Sequence, residues 1–345
     1  MRQTDWVPPR YVRRLISIPL VCVLLLVTVI GIPIWLPLTA LADVATEPKR
    51  MRYSRIGYLV LLLLLNEVST LVLLLAFWIR SAFGFLIRVP SHQLRLQRAL
   101  HYYARGLFRC AVRAVGVRLE VTGLDEATRD RAPFVLFGHH TSLLDSALPV
   151  ELLAPKHRYR FRYVIKKTLA YGPAFDFGGH MLPIHFVDRT GKRTGDEMAS
   201  IRGLSSGLGS GEVVVLFPEG SFHNPARMKK SIDRLRVDAP HLVSRAETWR
   251  HTLPPRAGGA LAMIDGAPGV DVLMLAHAGL ESFNSLGNIL RNIPLAKPVR
   301  VHCWRVPASE IPLDRDARYD WLFDQFELVD QFTVSQLDVP SQKAA

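Results

Sequence analysis

His140 and Asp145 are the residues from which a reaction can be written. The apolar run Phe134-Val135-Leu136-Phe137-Gly138 leads directly into His139-His140-Thr141-Ser142-Leu143-Leu144-Asp145. A short apolar run bounded by glycine reads as a buried strand, which places the histidines at a strand end and the aspartate at a helix start. Histidine can take a hydroxyl proton because its unperturbed pKa is about 6.5. A carboxylate on the other ring nitrogen would fix the tautomer and stabilise the imidazolium. The spacing allows that pair. It also suits a cap, with Thr141 or Ser142 as N-cap and Asp145 facing the helix dipole, and the two roles are compatible.

Other segments bring chemistry to strand ends. LPIHFVDR closes on Arg189, whose planar guanidinium suits phosphate oxygens; its bland alternative is a solvated surface charge. VVVLF runs into Pro218-Glu219-Gly220-Ser221, a turn at a strand end. Gly203-Leu204-Ser205-Ser206-Gly207 matches the G-x-S-x-G pattern of a hydrolase nucleophile. That elbow must follow a strand and open a helix, whereas this one follows a helical pattern and precedes a strand. His277 stands alone and reads as structural. The three cysteines, Cys22, Cys110 and Cys303, are far apart and have no metal-ligand spacing, so no zinc site and no disulfide framework is expected.

In their order, these segments resemble the glycerolipid acyltransferase family, which includes lysophosphatidate and glycerol-3-phosphate acyltransferases. The (N)HxSxxD motif is matched by His140, Ser142 and Asp145, with His139 in the Asn place. GxxFIxR is matched at Phe186 and Arg189, with Val187 for Ile and Pro183 for Gly. FPEGTR is matched by Phe217, Pro218, Glu219 and Gly220, with Ser221 for Thr and Phe222 for Arg. VIKKTL looks like the family's K-x-x-L element and places Lys166 near the site. The resemblance covers about residues 131–279. It implies that His140 is the general base, Asp145 its partner, and Arg189, Glu219 and Gly220 acceptor-binding residues, with Ser142 in the same motif. It implies no metal or cofactor, and acyl-CoA or an acyl carrier protein as donor substrate. The departures bear on the acceptor, because a phosphate-contacting Arg is replaced by Phe222. Arg227, Lys229 and Lys230 follow closely and could restore charge, although such a run is more commonly a solvated face.

The elements that must position this chemistry are of two kinds. From Val117 onward, the runs VRLEVTG, APFVLFG, YRFRYVI, LPIHFV, EVVVLF, VDVLML and VRVHCWRV alternate with helix-length stretches, and a last helix is expected over residues 315–337. That alternation predicts an α/β domain with a mixed sheet flanked by helices. Ahead of it, Leu15 to Ala42 is uncharged and Ile56 to Ile79 nearly so; about 20 such residues span a bilayer. They predict a hydrophobic helical hairpin in the membrane, spanning or re-entrant, since Pro33 and Pro37 interrupt the backbone ladder. A cleaved signal peptide is the competitor, but the run exceeds the ~7–15 residues of an h-region. Glu67 lies inside the second segment, where a protonated acid bonded to Asn66 or a neighbouring helix is the expected state.

The expected organisation is a membrane hairpin over 1–85, a basic amphipathic interfacial helix over 86–116 and an acyltransferase domain over 117–340. In the second, Arg95, Arg98, Arg105, Arg109 and Arg113 form one stripe, and Leu96, Leu100, Tyr103, Leu107 and Ala111 occupy another face. Such a helix can lie on lipid or pack on the domain. Lys and Arg outnumber Asp and Glu by 43 to 30, a net charge of +13. Nucleic acid would suit that charge, but its recognition motifs are missing, so the expected partners are membrane lipids and the acyl donor, with no nucleic acid. Arg2, Arg10, Arg13, Arg14, Arg80 and Arg88 outweigh the hairpin loop and place the catalytic domain on the cytoplasmic side of an integral membrane protein. The reaction so predicted is O-acylation of lysophosphatidate or a related glycerolipid. The alternatives are another glycolipid or glycerol-3-phosphate acceptor, or a non-catalytic acyl-lipid-binding scaffold.

Overall fold

A computed structural model of the chain describes residues 7–87, 89–181, 184–187 and 194–337. Arg189, Pro183, Arg2 and Arg88 lie outside the described residues. The chain divides into two compact units, one of residues 1–117, 146–197 and 289–296, the other of 118–145, 198–288 and 297–345.

The first unit begins with helices α1 (Arg10–Ile30), α2 (Ile32–Thr46), α3 (Arg52–Arg80) and α4 (Pro90–Val115). α1 and α3 are each long and apolar enough to cross a membrane. The first apolar segment forms two helices that meet at Gly31, an interruption of the kind its prolines allow. Pro33 explains the break, since it has no N–H to give the turn before it and its ring crowds the carbonyl four residues back. Pro33 therefore falls in the first turn of α2, where a missing donor costs nothing.

Arg13 and Arg14 are not free flanking charges. Both pair with the carboxylate of Asp176 in the helix Pro173–Gly179, and Arg14 does so at 2.7 Å. Asp176 is fully buried and Arg13 nearly so. A segment clasped to a buried acid in this way is part of the folded body. Glu67 is held similarly: one oxygen accepts from the Tyr103 hydroxyl of α4 at 2.6 Å, the other from the Ala174 N–H at 2.8 Å. Its neighbour Asn66 donates to the Tyr103 carbonyl instead. These bonds pin α3 to α4 where hydrocarbon alone gives no direction to the packing.

On α4, Leu96, Leu100, Tyr103 and Ala111 are buried within the unit, so its apolar face packs on protein. Arg95, Arg98, Arg109 and Arg113 remain exposed, and Arg105 pairs with Glu151 at 3.0 Å. The unit also contains β3 (Arg160–Lys166) and β4 (Ile184–Val187), paired in parallel.

The second unit is a mixed sheet with flanking helices. Its strands are β1 (Leu119–Thr122), β2 (Phe134–Gly138), β5 (Glu212–Leu216), β6 (Asp271–Ala278) and β7 (Val299–Val306). β2 lies between β5 and β6, parallel to both; β7 runs antiparallel to β6, and β1 is parallel to β7. All of β2 is buried, which is why it reads as an unbroken apolar run rather than an alternating one. Each of the seven predicted runs is a strand, and the last helix spans Arg315–Leu337.

Candidate active site

Because β2 and β5 are parallel neighbours, the residues after each emerge at the same edge. Phe134 pairs with Val213 and Phe137 with Leu216, so His139-His140 and Phe217-Pro218-Glu219 leave the sheet together. The contact is tight. A Cβ on Gly138 would come within 2.5 Å of the Phe217 ring, so only glycine lets that ring cross the strand end. The same ring then lies 4.8 Å from the imidazole of His140, centre to centre. Phe222 closes a second side edge-on at 4.6 Å.

Asp145 is buried at 1% exposure, whereas the His140 side chain retains 15%. Nδ1 of His140 stands 3.3 Å from Oδ2 of Asp145, off the line of a hydrogen bond. A loose contact of this kind is common in free enzymes and tightens when substrate arrives. The carboxylate itself is fixed: Oδ2 accepts the N–H groups of Thr141 and Ser142 at 2.5 and 2.6 Å, and Oδ1 accepts the Ser142 hydroxyl at 2.6 Å. Burial works against the ionised form, but His277, His140 and Ser142 outweigh it and hold Asp145 below the usual carboxylate range. Residues 144–146 form a single 3-10 turn, so Asp145 folds back on its own loop and caps no long helix.

Glu219 makes a second, tighter arrangement. At 1% exposure, its Oε1 accepts the His140 N–H at 2.8 Å and meets Nδ1 of His139 at 2.9 Å, while Oε2 accepts the Leu253 N–H at 3.0 Å. Burial disfavours charge on His139, yet Glu219, with Glu281 and Asp145 behind it, raises that pKa above the ordinary histidine value. Both oxygens of Glu219 are thus engaged by protein donors, and the hydroxyl of Ser142 is spent donating to Asp145. As placed, these two residues support the loop rather than offer groups to an acceptor. The N–H groups of residues 140–142 are committed too, so an oxyanion would have to find its donors elsewhere.

Gly220 turns the chain at φ +68°, and the Arg256 guanidinium lies across it: a Cβ there would come within 3.1 Å of Nε. Arg256 is exposed and comes from another segment, bonded by its own N–H to the Pro218 carbonyl at 2.9 Å. Arg227 stacks over Phe222 at 5.9 Å and donates to the Phe222 carbonyl. Lys229 and Lys230 are exposed on the same helix. Lys166 ends β3 in the first unit, and Arg189 falls outside the described residues.

Sequence reasoning missed Arg256 and, reading His277 as a lone structural histidine, did not foresee its partners. His277 is fully buried on β6, with Nε2 3.1 Å from the His139 carbonyl and 3.5 Å from Oδ1 of Asp145. The register that pairs Gly138 with Leu275 brings it there, and register is not written in local spacing. Ser205, by contrast, ends the helix Thr194–Ser205, is fully buried and donates to the Arg202 carbonyl. It is no nucleophile elbow.

The site is a parallel strand end in an α/β fold that presents a partly exposed histidine beside a buried aspartate. Residues 118–275 match the family model described as Acyltransferase. That segment is an acyltransferase domain, as the ordered motifs led us to expect. Among solved structures, a similar one is the 1-acyl-sn-glycerophosphate (LPA) acyltransferase PlsC from Thermotoga maritima, at 16% identity and a TM-score of 0.43, covering 79% of this chain and 99% of that one. No curated protein matches the sequence.

Proposed function

We propose that the protein is a membrane-bound O-acyltransferase that moves a fatty acyl group from acyl-CoA or an acyl carrier protein to a hydroxyl of lysophosphatidate or a related glycerolipid. The observation that carries this is the pairing of a partly exposed His140 with a buried, fully braced Asp145. His140 Nδ1 faces the aspartate, so Nε2 is the nitrogen left for the acceptor hydroxyl. It takes the hydroxyl proton as the oxygen attacks the thioester carbonyl; when the tetrahedral intermediate collapses, the C–S bond breaks and the imidazolium returns the proton to the departing thiolate. Asp145 steadies the imidazolium between these events. Ser142 and Glu219 act as positioning residues. No metal enters the scheme.

The acceptor's charge is the open choice. Phe222 gives the base an apolar wall where the family pattern has an arginine, while Arg256 lies across Gly220 and Arg227 stacks over Phe222, so that either can supply charge beside this turn. We assign them, with Arg189, to the acceptor phosphate. The hairpin α1–α3 would keep such an enzyme at the bilayer, on the cytoplasmic side by its arginines.

The test is acyl transfer by the purified, detergent-solubilised chain, with labelled acyl-CoA or acyl carrier protein and a panel of lysophospholipid, glycerol-phosphate and glycolipid acceptors. Transfer to one acceptor, abolished by His140→Ala, is the expected result. No transfer with any donor and acceptor would favour a scaffold that binds acyl lipids without acting on them.

A further inference from the structure

Outside the site at the ends of β2 and β5, the first unit contains a second built cavity. It measures about 450 Å³ and lies among α2, the start of α3 and the end of α4. One part of its wall is apolar, formed by Ile32, Trp35, Leu36 and Leu61; another carries Arg55 and Arg113.

The apolar wall is fixed in place. The Trp35 indole N–H donates to the Thr28 carbonyl at 2.9 Å, and its ring lies on Gly57, where a Cβ would come within 2.6 Å. The basic wall is fixed as well. Arg55 donates through Nε to the Arg50 carbonyl at 3.0 Å and through Nη1 to the Ala114 carbonyl at 3.1 Å, which brings its guanidinium to the residue beside Arg113. Arg113 is exposed and has no carboxylate partner among the described residues. Asp43 is the acid whose field reaches Arg55, but its two oxygens already accept the N–H groups of Tyr53 and Ser54. The carbonyl end of α4 offsets part of the positive charge, about half a unit. Two guanidinium groups brought together beside an apolar wall, with no acid between them, call for a bound anion that also has a hydrocarbon part.

We infer that this cavity binds one anionic glycerophospholipid, its phosphate between Arg55 and Arg113 and the upper part of an acyl chain along Trp35, Leu36 and Leu61. The occupant is a lipid rather than free phosphate because most of the wall is hydrocarbon and because the cavity is bounded by α3, long and apolar enough to cross a bilayer, and by the shorter apolar helix α2. The inference rests on the membrane reading of the hairpin and is independent of the transfer chemistry. Bound there, the lipid would lock α2 and α3 to α4 and make the enzyme respond to the anionic content of its membrane.

The experiment is native mass spectrometry of the full chain, delipidated in mild detergent and then offered phosphatidylglycerol, phosphatidylcholine or inorganic phosphate. One phosphatidylglycerol should stay bound under conditions that strip phosphatidylcholine, and phosphate should not displace it. Arg113→Glu, an exposed change that leaves the fold intact, should weaken retention at least tenfold, and Leu61→Trp, which fills the apolar wall without altering charge, should do the same. His140→Ala should retain the lipid although it loses transfer, so the two proposals fail separately. Equal retention of both lipids, displacement by phosphate, or undiminished binding by Arg113→Glu and Leu61→Trp would overturn the inference.

Discussion

Two neighbouring histidines each meet a carboxylate at the end of β2, and the pairs differ in every respect that matters to a proton. His139 and Glu219 are wholly buried, aligned at 2.9 Å, and joined through Glu219 to the backbone of two loops. His140 and Asp145 stand 3.3 Å apart, with the imidazole partly open and ringed by Phe217 and Phe222. A base must exchange its proton with a substrate, so it needs access and some rotational freedom. A brace must hold still, so it needs burial and full hydrogen bonding. On the proposed mechanism, adjacent residues of the same type serve opposite purposes, and their difference lies in environment alone.

Substitutions can break this division of labour. Asp145→Asn leaves the loop's shape nearly intact but removes the charge behind the imidazolium; the expected loss is about a thousandfold in kcat, read in the transfer assay. If activity falls by only a few-fold, His140 does not depend on its partner. Gly138→Ala should come next. The new methyl pushes the Phe217 ring off the strand end and with it one wall of the base, and we expect about tenfold lower kcat with the melting temperature reduced by a few degrees. Glu219→Gln acts on the brace instead. It leaves a buried imidazolium without its counter-charge, so it should cost about 3–5 kcal/mol of stability, measured by denaturation, before any effect on the base is seen. Full stability in that variant would mean that the buried pair is neutral.

The smallest effect concerns pH and separates the pairs by sign. The pKa of His139 is raised in the fold, so its stabilisation is complete below about pH 6.5 and is lost as pH rises through the folded value. Asp145 is depressed, so its contribution is present above about pH 3.9 and is lost as pH falls through the folded value. Melting temperatures of the wild type and His139→Gln should therefore converge as pH rises above neutrality. Divergence there would reverse the assignment of charge within the brace.

Much of this architecture was legible before any coordinates. The seven strands and the last helix were visible because each has a compact apolar run of the right length, bounded by polar or glycine-rich segments. His140 and Asp145 were visible because they lie five residues apart in one loop. What local spacing withheld was everything set by register or by distant pairing. His277 reaches Asp145 only because β6 runs beside β2, and Arg256 reaches Gly220 because its N–H bonds Pro218. The engagement of Glu219 by three internal donors was equally hidden, since motif identity does not say which way a side chain faces. The prolines at 33 and 37 announced an interruption of the first apolar segment, but not that it would fall at Gly31.

The clasp of Arg13 and Arg14 on Asp176 has a consequence in time. The partners are 163 and 162 residues apart in the chain. At about 5–20 residues per second of synthesis, the two arginines exist for roughly 8–30 s before their acid does. Throughout that interval Asp176 does not compensate them, and under the proposed membrane reading they are available to orient the first apolar helix. Once Asp176 emerges, both charges become a buried lock, so under the proposed membrane reading a signal used during synthesis would be consumed in completing the fold.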